Sequence, residues 1–166
     1  NWTYLNDFHA YSAPGASRTN YKGGNSANIG GALPDWRGST TLTWRKNQWG
    51  AGLGLYYIAS YTDVNATTTQ AVWDSLGNPS YIKPVFNNGA YSYRYVVHDT
   101  KSYNLFVTYR VAAQNRWLNN TNIRLGVNNL FDAKPPLSAD SRGYEVGLYN
   151  VMARGLTWSA QVTKKL

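Results

Sequence analysis

Apolar and polar residues alternate along the chain with period two, and period 3.6 does not recur, which is the pattern of half-buried strands. Leu156, Trp158, Ala160, Val162 and Leu166 share one parity, while Thr157, Ser159, Gln161, Thr163 and Lys165 share the other. Between Arg37 and Arg45, Leu42 and Trp44 oppose Arg37, Ser39, Thr41, Thr43 and Arg45. In the next segment Trp49, Ala51, Leu53, Leu55, Tyr57 and Tyr61 oppose Gly50, Gly52 and Gly54. Tyr103, Leu105, Val107, Tyr109 and Val111 oppose Ser102, Asn104, Thr108 and Arg110, and Ile123, Leu125 and Val127 oppose Asn122, Arg124, Gly126 and Asn128. The stretch from Trp2 to Tyr11 alternates least well, because Asn6 and Asp7 are adjacent. The pattern predicts about six strands of roughly ten residues, longer than most globular strands and long enough to cross a bilayer at a tilt.

The connections alternate in length. "RKNQW" is a tight hairpin and "AAQNRWLNNT" a modest turn, whereas Ser12 to Asp35, Thr62 to Lys101 and Asp132 to Arg154 are long, polar and rich in Gly, Pro, Asn and Tyr. Outer-membrane barrels have this asymmetry of short and long connections. No run of about 18 apolar residues predicts a transmembrane helix. No signal peptide is apparent either, so the chain reads as a mature protein or a fragment. The absence of cysteine rules out a disulfide framework and a thiolate metal site but leaves the redox compartment open.

Composition sharpens this picture. Fourteen Tyr and seven Trp supply most of the aromatic residues, and these amphipathic rings favour a boundary between water and an apolar phase. The net charge of +8 raises nucleic acid as a partner, but the basic residues are scattered rather than clustered, which argues against it. Arg37, Arg45, Arg110 and Arg124 all fall on the polar parity. An arginine on the lipid face at mid-membrane costs about 2–4 kcal/mol, whereas a lumen position tolerates it. Lys164, on the apolar parity, is close enough to the end of the last strand to snorkel. Trp44 and Trp49 bracket the tight hairpin and Trp117 lies in the other short turn, as an aromatic girdle requires.

The runs "LPDWRGSTTLTWRKNQWGAGLGLYYIASY", "IRLGVNNLFDAKPP" and "RGYEVGLYNVMARGLTWSAQVTKKL" resemble the C-terminal end of a TonB-dependent outer-membrane receptor. The resemblance extends from about Trp2 to Leu166. It departs from the family at the terminus, where Leu166 and Lys164 stand in place of the usual aromatic residues of the assembly signal. It implies an all-β fold: an antiparallel transmembrane β-barrel segment, residues 1–166 being about six C-terminal strands of a barrel of about 22. The plug domain and the remaining strands lie outside this sequence. Short turns are then periplasmic and long loops extracellular, and "NNLFDAKPP" marks where a strand leaves the outer leaflet. Asn128 and Leu130 are expected on the lumen parity, with Asn129 and Phe131 facing outward. Six strands alone would leave two unpaired edges in lipid, at tens of kcal/mol in total, so the rest of the barrel is an expected partner.

The function implied is energised import across a Gram-negative outer membrane of a scarce ligand: a siderophore, cobalamin, haem, an oligosaccharide or a peptide. Implied partners are outer-membrane lipid and lipopolysaccharide, the remainder of the barrel and plug, TonB through the plug region, and the barrel-assembly machinery. Candidate ligand contacts are the loop aromatics Trp73, Tyr81, Phe86, Tyr91, Tyr93, Tyr95, Tyr144 and Tyr149, with packing of the loops on themselves as the competing role. Arg37, Arg45, Arg110 and Arg124 are expected in the lumen. Trp44, Trp49, Trp117, Phe131 and Trp158 are expected at the membrane interface. No catalytic constellation, metal site or cofactor is predicted: His9 and His98 are the only histidines, and no spaced pair of acids exists. "NWT", "NAT" and "NNT" match a glycosylation pattern that a bacterial protein leaves idle. The alternatives are a soluble secreted carbohydrate-binding β-sandwich, whose apolar parity would lie in an inter-sheet core, and a scaffold docking other envelope proteins.

Overall fold

The computed structural model describes residues 1–11, 13–87, 89–112, 118–141 and 143–164, with the backbone alone at Asn28 and Asn87. The strands are β1 (Trp2–Tyr4), β2 (His9–Tyr11), β3 (Arg18–Asn20), β4 (Gly24–Ser26), β5 (Gly31–Ala32), β6 (Trp36–Lys46), β7 (Trp49–Ile58) and β8 (Tyr61–Thr68). Helix α1 (Gln70–Ser75) precedes β9 (Ile82–Asn87), β10 (Ala90–Val97), β11 (Thr100–Val111) and β12 (Thr121–Asn128). Helix α2 (Val146–Ala153) precedes β13 (Thr157–Lys164).

The predicted alternating segments form one antiparallel sheet in the order β1-β6-β7-β11-β12-β13, the order in which they occur along the chain. Its register keeps the parities intact. Leu42 pairs with Leu53, Leu53 with Leu105, Leu105 with Val127 and Val127 with Trp158, so one apolar row crosses five strands. The hairpin between β6 and β7 closes through Asn47, whose φ of 54° suits the amide side chain at a tight turn. The sheet is open, with β1 and β13 as its edges. Only Trp2–Tyr4 of the expected first strand joins it. The pairing extends to Leu5, whose N–H donates to the Asp35 carbonyl, and His9–Tyr11 pairs with Arg18–Asn20 in a separate ribbon.

The three long connections are not irregular loops. They meet at one end of the sheet and build a cap around a second sheet, in the order β5-β4-β8-β10-β9. Between Arg94, opposite Thr67, and Val96, opposite Thr62, the pairing is interrupted and residues 63–66 of β8 form a bulge. The cap has its own core, in which Leu148, Tyr149 and Met152 of α2 pack against Ile58, Tyr61 and Val97. Each such side chain contributes about 2 kcal/mol when fully buried. Glu145 starts α2 by accepting from the Gly147 N–H at 3.2 Å, and its other oxygen accepts from the Ser141 hydroxyl at 3.0 Å.

Candidate functional site

The six-stranded sheet presents two chemically opposite faces, since cross-strand partners project to the same side. One face is apolar and uncovered: Leu42 is 74% exposed, Val162 70% and Trp158 77%. Aromatic residues border it at both ends. At the hairpin end Trp44 and Trp49 are exposed, and the Trp49 ring lies 4.6 Å from that of Tyr109. At the cap end Trp2 lies 5.9 Å from Tyr57, Tyr4 4.6 Å from Trp36, and Tyr103 meets Phe131 edge-on at 5.4 Å. From Trp36 to Trp44 the strand rises about 26 Å. Lys22 sits above this border, donating to the Tyr4 hydroxyl at 2.9 Å, and that bond raises its pKa.

Of the expected interface aromatics, Trp44, Trp49 and Trp158 project from this face and Phe131 lies at its cap-end rim. Trp117 and Leu166 fall outside the described residues. Tyr57, Tyr103 and Tyr109, on the apolar parity of their strands, share the face, and Trp2, Tyr4 and Trp36 join them. Parity with Leu42, Leu53 or Leu105 signals Trp36, Tyr57, Tyr103 and Tyr109, whereas Trp2 and Tyr4 reach the face only through the pairing of β1 with β6.

The opposite face is polar, with glycines along β7. Arg37, Arg45, Arg110 and Arg124 lie on it together: Arg45 pairs with Gly50, Gly50 with Thr108, and Thr108 with Arg124, while Arg110 pairs with Asn122 and Arg37 with Ile58. Ile58, which the cap core buries, and Phe106 are apolar residues that share this face. The Phe106 ring lies over Gly52, where any Cβ would collide with it, and the Arg124 guanidinium stacks 3.8 Å from the ring centroid. Alternation alone puts Phe106 on this face, in step with Asn104 and Thr108, and the register then sets it opposite Gly52.

In the cap, one buried polar knot ties the three long connections together. Asp63 accepts from Asn25 Nδ2 at 3.1 Å, from the Ser138 hydroxyl at 2.8 Å and from the Ala139 N–H at 2.8 Å. Asn25 also donates to Ser138 and Ser141, at 2.8 and 3.0 Å. Asp140 accepts from the Asn65 N–H at 2.9 Å, which fixes the β8 bulge. Arg94 is buried nearby, its pKa lowered by desolvation against the pull of Asp140.

The eight candidate ligand-contact aromatics separate by position. Tyr149 is 0% exposed and Tyr93 is buried, and both are core residues rather than contacts. Burial raises the pKa of the Tyr149 hydroxyl against hydrogen bonds with Thr100 and Tyr61 that lower it, and burial also raises that of Tyr61. Trp73 stacks on Tyr93 at 5.3 Å, and Tyr144 packs against the cap core. Loop composition cannot separate these four from the exposed ones, since their burial depends on α1 and α2 folding over the second sheet. Tyr81 and Tyr95 flank a shallow pocket of about 390 Å³ completed by Val96, Leu137, Ser138 and Ala139. Phe86 and Tyr91 form an exposed pair, 5.1 Å apart, near the tip of the β9–β10 hairpin.

"NNLFD" joins the sheet to the cap. Asn129, expected to face outward with Phe131, is 1% exposed and turns to the polar side. Its φ of 52° breaks the alternation, and its N–H donates to Asn104 Oδ1 at 2.9 Å. Asp132 Oδ1 accepts from the Leu156 N–H at 3.1 Å and Oδ2 from Lys134 at 2.7 Å. It thereby pins the start of β13 to the end of β12. Of the histidines, His9 Nε2 lies 3.0 Å from Asp7 and His98 is exposed. No protein-family model, curated protein or solved structure matches the chain.

Proposed function

We propose that this chain forms part of the wall and extracellular cap of an outer-membrane active-transport receptor, completed by further strands and a plug and energised through TonB. The observation that carries this reading is the uncovered apolar face, bordered by aromatics at both ends and backed by an arginine-bearing polar face. Lipid is the solvent that suits such a face, because water would leave the leucine and valine rows of five strands hydrated. The clustering of every long connection at one end supports the same reading. Membrane lipid and lipopolysaccharide would cover the apolar face, and the barrel-assembly machinery would insert it.

A carbohydrate-binding sandwich is less well supported, since the second sheet leaves Leu42, Leu125 and Val162 exposed. Within the receptor reading, Tyr81, Tyr95, Phe86 and Tyr91 are the cap aromatics placed to meet a ligand, and they select no ligand class. Trp73, Tyr93, Tyr144 and Tyr149 hold the cap together. The test is fractionation of cells making the intact protein. It is expected in the outer-membrane fraction, resistant to alkaline extraction and released by detergent. Recovery as a monodisperse protein without detergent would overturn the reading.

A further inference from the structure

The six strands of the main sheet carry no Asp or Glu; all eight acids lie in the connections that enter or build the cap. On the polar face three arginines gather toward the hairpin end. Arg45, Gly50, Thr108, Arg124 and Gln161 form one continuous register row, and Arg110 is two residues beyond Thr108 on β11. Three strand spacings separate Arg45 from Arg124, about 14 Å. The ground between them is low, because Gly50 carries no side chain and Thr108 covers it. Arg124 is pre-oriented by its stack on Phe106, and Arg110 donates to Asn120 Oδ1 at 3.4 Å. None of the three forms an ion pair among the described residues.

We propose that this half of the polar face is a docking surface for an acidic polypeptide segment, held by Arg45, Arg110 and Arg124. Charge complementarity selects an anionic occupant, and planar guanidiniums favour carboxylates presented in fixed geometry. Spacing then selects a polypeptide: three cations spread over about 14 Å on an open sheet are too far apart for one small anion and match several carboxylates along a chain. The surface exists whether or not the sheet lies in a membrane, so the inference stands apart from the transport reading.

The test places p-benzoylphenylalanine at Thr43 or Gln161, exposed positions flanking the arginines on the same face, in the intact protein in the cells that make it. Irradiation is expected to capture a peptide rich in Asp and Glu, from the same polypeptide or another. Capture should fall about fivefold or more when Arg45→Gln, Arg110→Gln and Arg124→Gln are combined. Replacing all three by Lys should restore most of it, and Lys22→Gln with Lys101→Gln and Lys134→Gln should leave it unchanged. Capture that is independent of the arginines, a captured peptide without excess acid, or capture of lipid alone would each overturn the proposal. Absence from the membrane fraction would instead count against the transport reading and leave this one intact.

Discussion

Asn129 holds Ala133 by both ends of its side-chain amide: Oδ1 accepts from the Ala133 N–H at 2.9 Å, and Nδ2 donates to the Ala133 carbonyl at 2.9 Å. Asparagine suits this position twice, since it tolerates positive φ and supplies one donor and one acceptor. Asn129→Gly keeps the backbone conformation and loses the clamp, whereas Asn129→Ala loses both. Each is expected to destabilise the protein by about 2–3 kcal/mol, with Ala the worse. Denaturant unfolding of the intact protein checks the order, and equal stability of wild type and Asn129→Gly would remove the clamp's role.

Asp63 connects all three parts of the cap. Asp63→Ala leaves the donors of Asn25, Ser138 and Ala139 without their acceptor, at about 3–5 kcal/mol of local stability. Hydrogen exchange should quicken in β4, β8 and the segment 138–141 while β6, β7 and β11 remain protected. Uniform loss across both sheets would mean that cap and wall unfold together.

Gly52 is occupied from above by Phe106. Gly52→Val therefore has to displace a ring already held by Arg124, and a cost of about 1–3 kcal/mol is expected for this overpacking. Adding Phe106→Ala should recover part of it. A double variant no more stable than Gly52→Val would show that strand geometry, and not the ring, requires glycine.

Lys134 and the Leu156 N–H lower the pKa of Asp132 below that of an ordinary carboxyl. A depressed folded-state pKa adds stability above the unfolded value, near 3.9, and this is lost as pH falls through the folded value. The junction of β12 and β13 should therefore loosen only below about pH 4. Asp132→Asn should remove that dependence. Carboxyl chemical shifts followed by NMR would check it, and an Asp132 titration above the ordinary range would contradict it.

Much of the main sheet was legible because five of its six strands obey period two over eight or more residues, long enough for the parity of Leu42 or Leu105 to fix the face. The hairpin at Asn47 was legible for a local reason, its turn chemistry. The cap was not. Its strands are short or bulged: residues 63–66 interrupt the pairing of β8 with β10, and Pro84 lies within edge strand β9. The apolar positions of α2 are clear only once Ile58, Tyr61 and Val97 are seen to meet them. Tyr149 and Tyr91 are alike in composition and differ only through contacts distant in sequence. The polar turn of Asn129 was hidden by a single positive φ, which parity cannot anticipate.

The central claim is that the two faces of the main sheet meet different solvents. Nitroxide labels placed one at a time from 102 to 109 on β11, in the intact protein in lipid, test it most directly, and the 166 residues contain no cysteine to interfere. The account predicts labels that oxygen reaches and a water-soluble nickel chelate does not at Tyr103, Leu105, Val107 and Tyr109, and at Asn104 and Thr108 labels that the chelate reaches or that a docked segment shields from both. Labels at Leu105 and Val107 that neither reagent reaches, or that the nickel chelate reaches, would contradict it.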